Sequence, residues 1–180
     1  KPNVLFVPAQ ALPFFAPHRA MKQQATVTTI HDVAFHRRPD LYAPRARHRL
    51  ERTTHRAIRH AKKILVPSRL TKNDLELLYR VCSERIAVTS LAADLSQFHP
   101  RGVEEIHHVL QKYRLGHKNY FLTIGRLESK KNIATLARAF EIFKKTRGLG
   151  DPFELVLAGA PGFGFGKIKP YLEHSPVKDH

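Results

Sequence analysis

Six short apolar runs, set apart by segments of helical period, leave few folds open to this chain. They are Asn3 to Pro8, Thr26 to His31, Lys63 to Pro67, Ile86 to Ser90, Phe121 to Gly125 and Phe153 to Gly159. Most are continuous in apolar character rather than alternating, as strands covered on both faces should be. Between them, Ala43 to Ala61 follows Pro39 and Pro44, Thr71 to Val81 follows Ser68 as an N-cap, and Ile133 to Thr146 ends before Gly148 and Gly150. Strands and helices in alternation predict an α/β fold with largely parallel sheets. From Ala92 to His117 the pattern weakens. Ser96-Gln97-Phe98-His99-Pro100 reads as a linker and Val103 to Tyr113 as a short connecting helix. The expected division is therefore 1–95, a linker and helix over 96–117, and a second domain beginning at 118.

Charge narrows the partners. The formal net charge is +16, and between Arg37 and Arg59 eight arginines are opposed only by Asp40 and Glu51. Such an excess predicts anionic partners: a nucleotide, a phosphorylated lipid, a membrane surface or a nucleic acid. The plainest reading of the arginine run is a solvated helix face; its rival is an anionic acceptor or membrane surface. Cys82 is the single cysteine, which excludes an internal disulfide framework and a Cys-based zinc cluster. No apolar run approaches the roughly 20 residues of a membrane-spanning helix. A cytoplasmic protein is expected, in peripheral contact with the inner face of a membrane where the arginines meet it.

Chemistry concentrates where apolar runs end. Tyr120-Phe121-Leu122-Thr123-Ile124-Gly125-Arg126-Leu127-Glu128-Ser129-Lys130-Lys131-Asn132 reads as a buried strand, a glycine turn carrying cations, and a helix entrance. Gly125 permits a tight turn and close backbone approach, Arg126 offers a bidentate fork, and Lys131 adds a point charge one turn later. Leu155-Val156-Leu157-Ala158-Gly159-Ala160-Pro161-Gly162-Phe163-Gly164-Phe165-Gly166 is a second strand emptying into a glycine-rich loop. It is not a Walker A loop, because no Ser or Thr follows Gly166-Lys167, and its glycines lack the dinucleotide-binding spacing. Loops at the carboxyl ends of neighbouring parallel strands open onto one crevice, so the Gly125 and Gly159 turns are expected to share a ligand. The third feature is Thr28-Thr29-Ile30-His31-Asp32-Val33-Ala34-Phe35, a strand ending in adjacent His31 and Asp32. There a His can donate to a hydroxyl or stabilise developing charge, while Asp32 orders the loop or accepts a proton. The 12 histidines show no metal-ligand spacing.

These features, in this order, resemble the retaining, nucleotide-sugar-dependent glycosyltransferases of the group 1 (family 4) type with the GT-B fold. Gly125-Arg126 with Lys131-Asn132 is similar to that family's Gly-Arg…Lys-Gly/Asn signature. Thr29 to Phe35 with Pro39-Asp40-Leu41-Tyr42 resembles its His-Asp segment, and Ile64 to Ser68 with Thr71 to Leu75 its strand-Ser-helix step. Arg85 to Thr89 and Phe98-His99-Pro100 resemble the approach to its interdomain linker, and Leu155 to Gly162 the second strand and loop of its donor domain. The resemblance implies two Rossmann-like domains facing across a cleft, acceptor on the first and nucleotide-sugar donor on the second. It implies that Arg126 and Lys131 bind the donor phosphates, with Gly125, Gly159 and Gly162 lining the approach. His31, beside Asp32, would contact the transferred sugar. No cofactor or metal is expected, and the acceptor would be a sugar or a lipid-linked sugar.

The family's N-terminal glycine-rich loop and paired glutamates have no counterpart in these 180 residues. The resemblance therefore implies an internal fragment with an incomplete second domain, weak or inactive by itself. Two alternatives compete: a noncatalytic remnant of such an enzyme, and a basic nucleic-acid-binding α/β protein. The second lacks aromatics interleaved on a basic face and leaves the Gly125 turn unexplained, so no nucleic-acid partner is expected.

Overall fold

The computed structural model describes residues 3–12, 25–116 and 119–179. The chain divides into two compact units, Lys1–Asp94 and Leu95–His180, each with its own parallel sheet. In the first, β1 (Val4–Val7), β2 (Ala25–Thr29), β3 (Lys63–Val66) and β4 (Ile86–Val88) lie side by side in chain order, all parallel. Parallel neighbours need crossover connections. Between β2 and β3 the chain forms the single-turn helix α1 (Ala34–Arg37) and the long α2 (Pro44–His60); between β3 and β4 it forms α3 (Arg69–Tyr79).

Local chemistry sets these boundaries. Pro44 occupies the first turn of α2, where a missing N–H costs nothing. At the other end of α2 the Arg85 guanidinium donates to the Ile58 and Ala61 carbonyls, the latter at 2.7 Å, satisfying acceptors the helix leaves open. Ser68 caps α3, its Oγ accepting from Thr71 N at 3.1 Å. The core joins Ile30, Ile64, Val66 and Ile86 to Ala57 and Ala61 beside α2, Leu75 of α3, and Phe35. The residues α2 buries are small, Thr53, Thr54 and Ala57. Asp74 on α3, its side chain 8% exposed, accepts from Nε of Arg37 at 2.9 Å and also from Nη2, tying α1 to α3.

The second unit contains α4 (Val103–Lys112), β5 (Asn119–Ile124), α5 (Ile133–Arg147), β6 (Phe153–Ala158) and α6 (Phe165–Glu173). The two strands pair in parallel from Asn119 opposite Phe153 to Ile124 opposite Ala158. Phe121 and Phe153 stack with ring centroids 5.2 Å apart and meet Phe143 of α5 edge-on. The fully buried Lys144 sends its Nζ to the Asp151 carbonyl at 2.6 Å and the Phe153 carbonyl at 3.3 Å, pinning α5 to the start of β6.

All six apolar runs appear as strands with ends shifted by a residue or two: each stops one or two residues sooner than expected, while β2 starts one residue earlier and β5 two. Two differences from the sequence expectation matter. Strand β2 stops at Thr29, although Ile30 N still donates to Leu65 O at 2.9 Å, so His31 lies past the ladder. Strand β5 is apolar throughout its middle yet not covered on both faces, with Leu122 50% and Ile124 78% exposed. Among the described residues it has a hydrogen-bonded neighbour on one side only. No helix among the described residues is long and apolar enough to cross a membrane.

One ion pair is expected to contribute to the pH dependence of stability. The Arg147 hydrogen bond, with help from Phe153 N and against opposing desolvation, holds the Asp151 carboxyl below its ordinary range. A carboxylate depressed in the folded state stabilises above its unfolded value and loses that contribution as pH falls through the folded value. Urea midpoints of the parent chain are expected to fall more between about pH 4 and pH 2 than those of Asp151→Asn. Equal slopes would refute this role for Asp151.

Candidate functional site

Past their last paired residues, β5 and β6 continue to run together. Gly125 N donates to Ala158 O at 2.9 Å, Leu127 N to Ala160 O at 2.9 Å, Gly162 N to Leu127 O at 3.0 Å and Ser129 N to Phe163 O at 3.0 Å. Leu127 and Pro161 form a parallel bridge beyond the strands. The two turns are therefore one ribbon, and its contacts are too close for side chains. A Cβ on Gly159 would lie 1.8 Å from the Gly125 carbonyl oxygen, and one on Gly162 would lie 2.8 Å from Glu128 Cβ. Gly125 has φ 141°, a conformation side chains rarely adopt.

Two cations sit on this ribbon. Arg126 is exposed, and Nη2 makes a long 3.4 Å contact to the Pro161 carbonyl. Lys131 is exposed too, with Cε 3.9 Å from the point where a Gly125 Cβ would stand. Its backbone belongs to a 3-10 turn, Ser129–Lys131, that ends at Asn132 in the left-handed region, φ 54°, before α5 begins. Gly125, Arg126, Lys131, Gly159 and Gly162 thus lie together in the second unit. Lys130, the adjacent cation, is turned to Glu128 at 3.5 Å. Sequence reasoning missed Glu128, which is nearly buried under the Gly162 loop, and Ser129, whose Oγ fills the space beside Gly164. A charged residue in an exposed-looking turn gives no sign that a glycine 34 positions later covers it.

In the first unit, His31 gathers the carboxyl ends of three strands. Its Nε2 lies 3.2 Å from the Pro8 carbonyl, just past β1, and its own carbonyl accepts from Thr71 Oγ1 at 3.3 Å. Thr71 Oγ1 in turn lies 3.1 Å from Ser68 Oγ, the cap after β3. A carbonyl only accepts, so Nε2 is the donor in this contact, and in a neutral ring that leaves Nδ1 as an acceptor. Asp32 Oδ1 accepts from Ala34 N at 3.0 Å, which orders the loop into α1. Among the described residues, no three His, Cys, Asp or Glu side chains converge as a metal site.

The family model described as Glycosyltransferase Family 4 matches residues 1–97. The chain belongs to glycosyltransferase family 4. O-antigen chain mannosyltransferase B of Escherichia coli is 34% identical over 151 residues, covering 83% of this chain and 38% of that relative. The crystal structures of Anabaena Alr3699/HepE in complex with UDP-glucose and with UDP match with TM-scores of 0.67 and 0.66 at 14% and 13% identity. They cover 98% of this chain and 45% and 46% of theirs, and at that identity the likeness is one of fold. This family 4 chain has the parallel, Rossmann-like sheets of a GT-B glycosyltransferase and spans less than half the length of these relatives.

The ribbon predicts opposite outcomes for two glycines of this family 4 chain. Gly159→Ala drives a methyl into a backbone carbonyl and should cost about 1–3 kcal/mol, as overpacking does. Gly166→Ala, in α6 with nothing within 4 Å of the added carbon, should instead stabilise by about 0.5–1 kcal/mol. Urea unfolding of both variants tests this; a Gly159→Ala as stable as the parent would show the turns to be separable.

Proposed function

We propose that this chain forms part of a retaining glycosyltransferase whose nucleotide-sugar donor lays its diphosphate on the Gly125–Gly159 ribbon between Arg126 and Lys131. One observation carries the reading: Gly159 stands so close to Gly125 that both turns present bare backbone at one place, with two exposed cations beside it. Bare backbone lets a phosphate approach, and the cations meet charge that grows on the departing diphosphate as the glycosidic bond breaks. No metal is required in this scheme, because an arginine fork and a lysine supply the positive charge. His31 is assigned to the transferred sugar, its Nδ1 accepting from a hydroxyl, with Asp32 as the group that sets the loop.

The relative at 34% identity favours mannosyl transfer onto a growing cell-envelope polysaccharide, from a sugar or lipid-linked acceptor. The UDP-containing fold neighbours, at 13% and 14% identity, weigh less on the choice of base.

Calorimetric titration of UDP, GDP and ADP into the chain tests the donor site. Saturable binding of one nucleotide is expected, weakened at least about tenfold by Arg126→Ala and by Lys131→Ala, the loss of about 1.4 kcal/mol or more that removal of a charge-assisted contact brings. Binding equal for every polyanion and untouched by either substitution would overturn the assignment.

A further inference from the structure

Helix α2 carries six arginines and three histidines against one carboxylate, Glu51. That carboxylate is engaged elsewhere. Its Oε1 lies 3.2 Å from His55 Nε2 and accepts from Tyr79 OH at 3.3 Å, and its Oε2 lies 3.8 Å from His36 Nδ1. Arg47, one turn before Glu51 and well placed for an i,i+4 pair, makes no ion pair among the described residues, and neither does Arg52. Both residues line concave space rather than a flat helix face. One open cavity of about 330 Å³ is lined by His36, Arg47, His48 and Glu51 with Phe35 and Pro39. A second of about 330 Å³ is lined by Arg52, His55 and Arg56 among others, and the two share His48 and Glu51.

We propose that these two neighbouring cavities form a binding groove for a phosphate ester, separate from the donor site, with Arg47 and Arg52 as its anchoring forks. The chemistry suits a tetrahedral anion: Arg47 and Arg52 each bring paired N–H donors, one to each cavity, and His48 lines both. Glu51 is the one carboxylate of α2, and the groups that meet it are His36 from α1, His55 from α2 and Tyr79 from α3. Its negative charge opposes an anion in the groove, so removing that charge strengthens binding.

The test is titration of inorganic phosphate into the full chain by NMR at one fixed pH, with circular dichroism to confirm that every variant is folded. Saturable binding is expected. Arg47→Ala with Arg52→Ala should weaken it at least about tenfold. The charge-matched pair Arg45→Ala with Arg49→Ala, which lines neither cavity, should change it less than about twofold. Glu51→Gln should tighten binding. Equal losses in the two double variants would reduce the groove to diffuse charge, and loss in Lys131→Ala would relocate the phosphate to the donor site; either overturns the proposal. So would no saturable phosphate binding alongside binding to phosphatidylglycerol vesicles but not phosphatidylcholine ones, which would make the surface a membrane contact instead.

Discussion

The second unit is organised by the absence of one side chain. At Gly159 the backbone of one turn rests on the carbonyl of the other, and any Cβ there would overlap the Gly125 oxygen. Because of that contact, the parallel register of β5 and β6 extends through Leu127 and Pro161 instead of ending at the strands. The ribbon in turn fixes where Arg126 and Lys131 leave the backbone, and it covers Glu128, which draws Lys130 aside. A cation pair would be commonplace on a loose loop. On a ribbon pinned by four backbone hydrogen bonds, the positions from which both side chains leave the backbone are fixed before any ligand arrives.

The first unit reaches a similar result by hydrogen bonding. Its sheet follows chain order, so the loops after β1, β2 and β3 are neighbours, and His31 ties them together through the Pro8 carbonyl and Thr71. The same side chain that holds the loops is thereby restricted in what it can offer a ligand. With Nε2 committed, the free chemistry is at Nδ1. Polar threonines are part of this scheme. Thr28 is buried on β2 and sends Oγ1 to the Ala9 carbonyl at 2.8 Å, satisfying backbone just beyond the β1 strand where no ladder partner remains.

The basic helix shows how a composition signal becomes a specific arrangement. Eight arginines between Arg37 and Arg59 read alike in the sequence. In the folded unit Arg37 is spent on buried Asp74 and Arg38 on Asp40, while Arg47 and Arg52 are left at the rims of two cavities. The difference comes from the partners across space. Asp74 lies 37 positions from Arg37, and Glu51 is claimed by residues from three helices.

Strand positions, the Ser68 cap, the Gly148 stop and the strand-to-glycine steps were legible in the amino-acid order, because each depends on a local property: apolar continuity, a capping hydroxyl, a backbone freed of Cβ. Family membership was legible for the same reason, since its motifs are short and stand in sequence order. Contacts between distant positions were not. That Gly159 touches Gly125, that Glu128 lies beneath Gly162, and that His31 reaches Pro8 are consequences of strand register, which pairs residues more than twenty positions apart. The sequence alone thus determined which residues could bind an anion or a sugar. Tertiary structure decided which of them remain free to do so, because a cation or imidazole loses that freedom only to a partner the fold brings within hydrogen-bond reach.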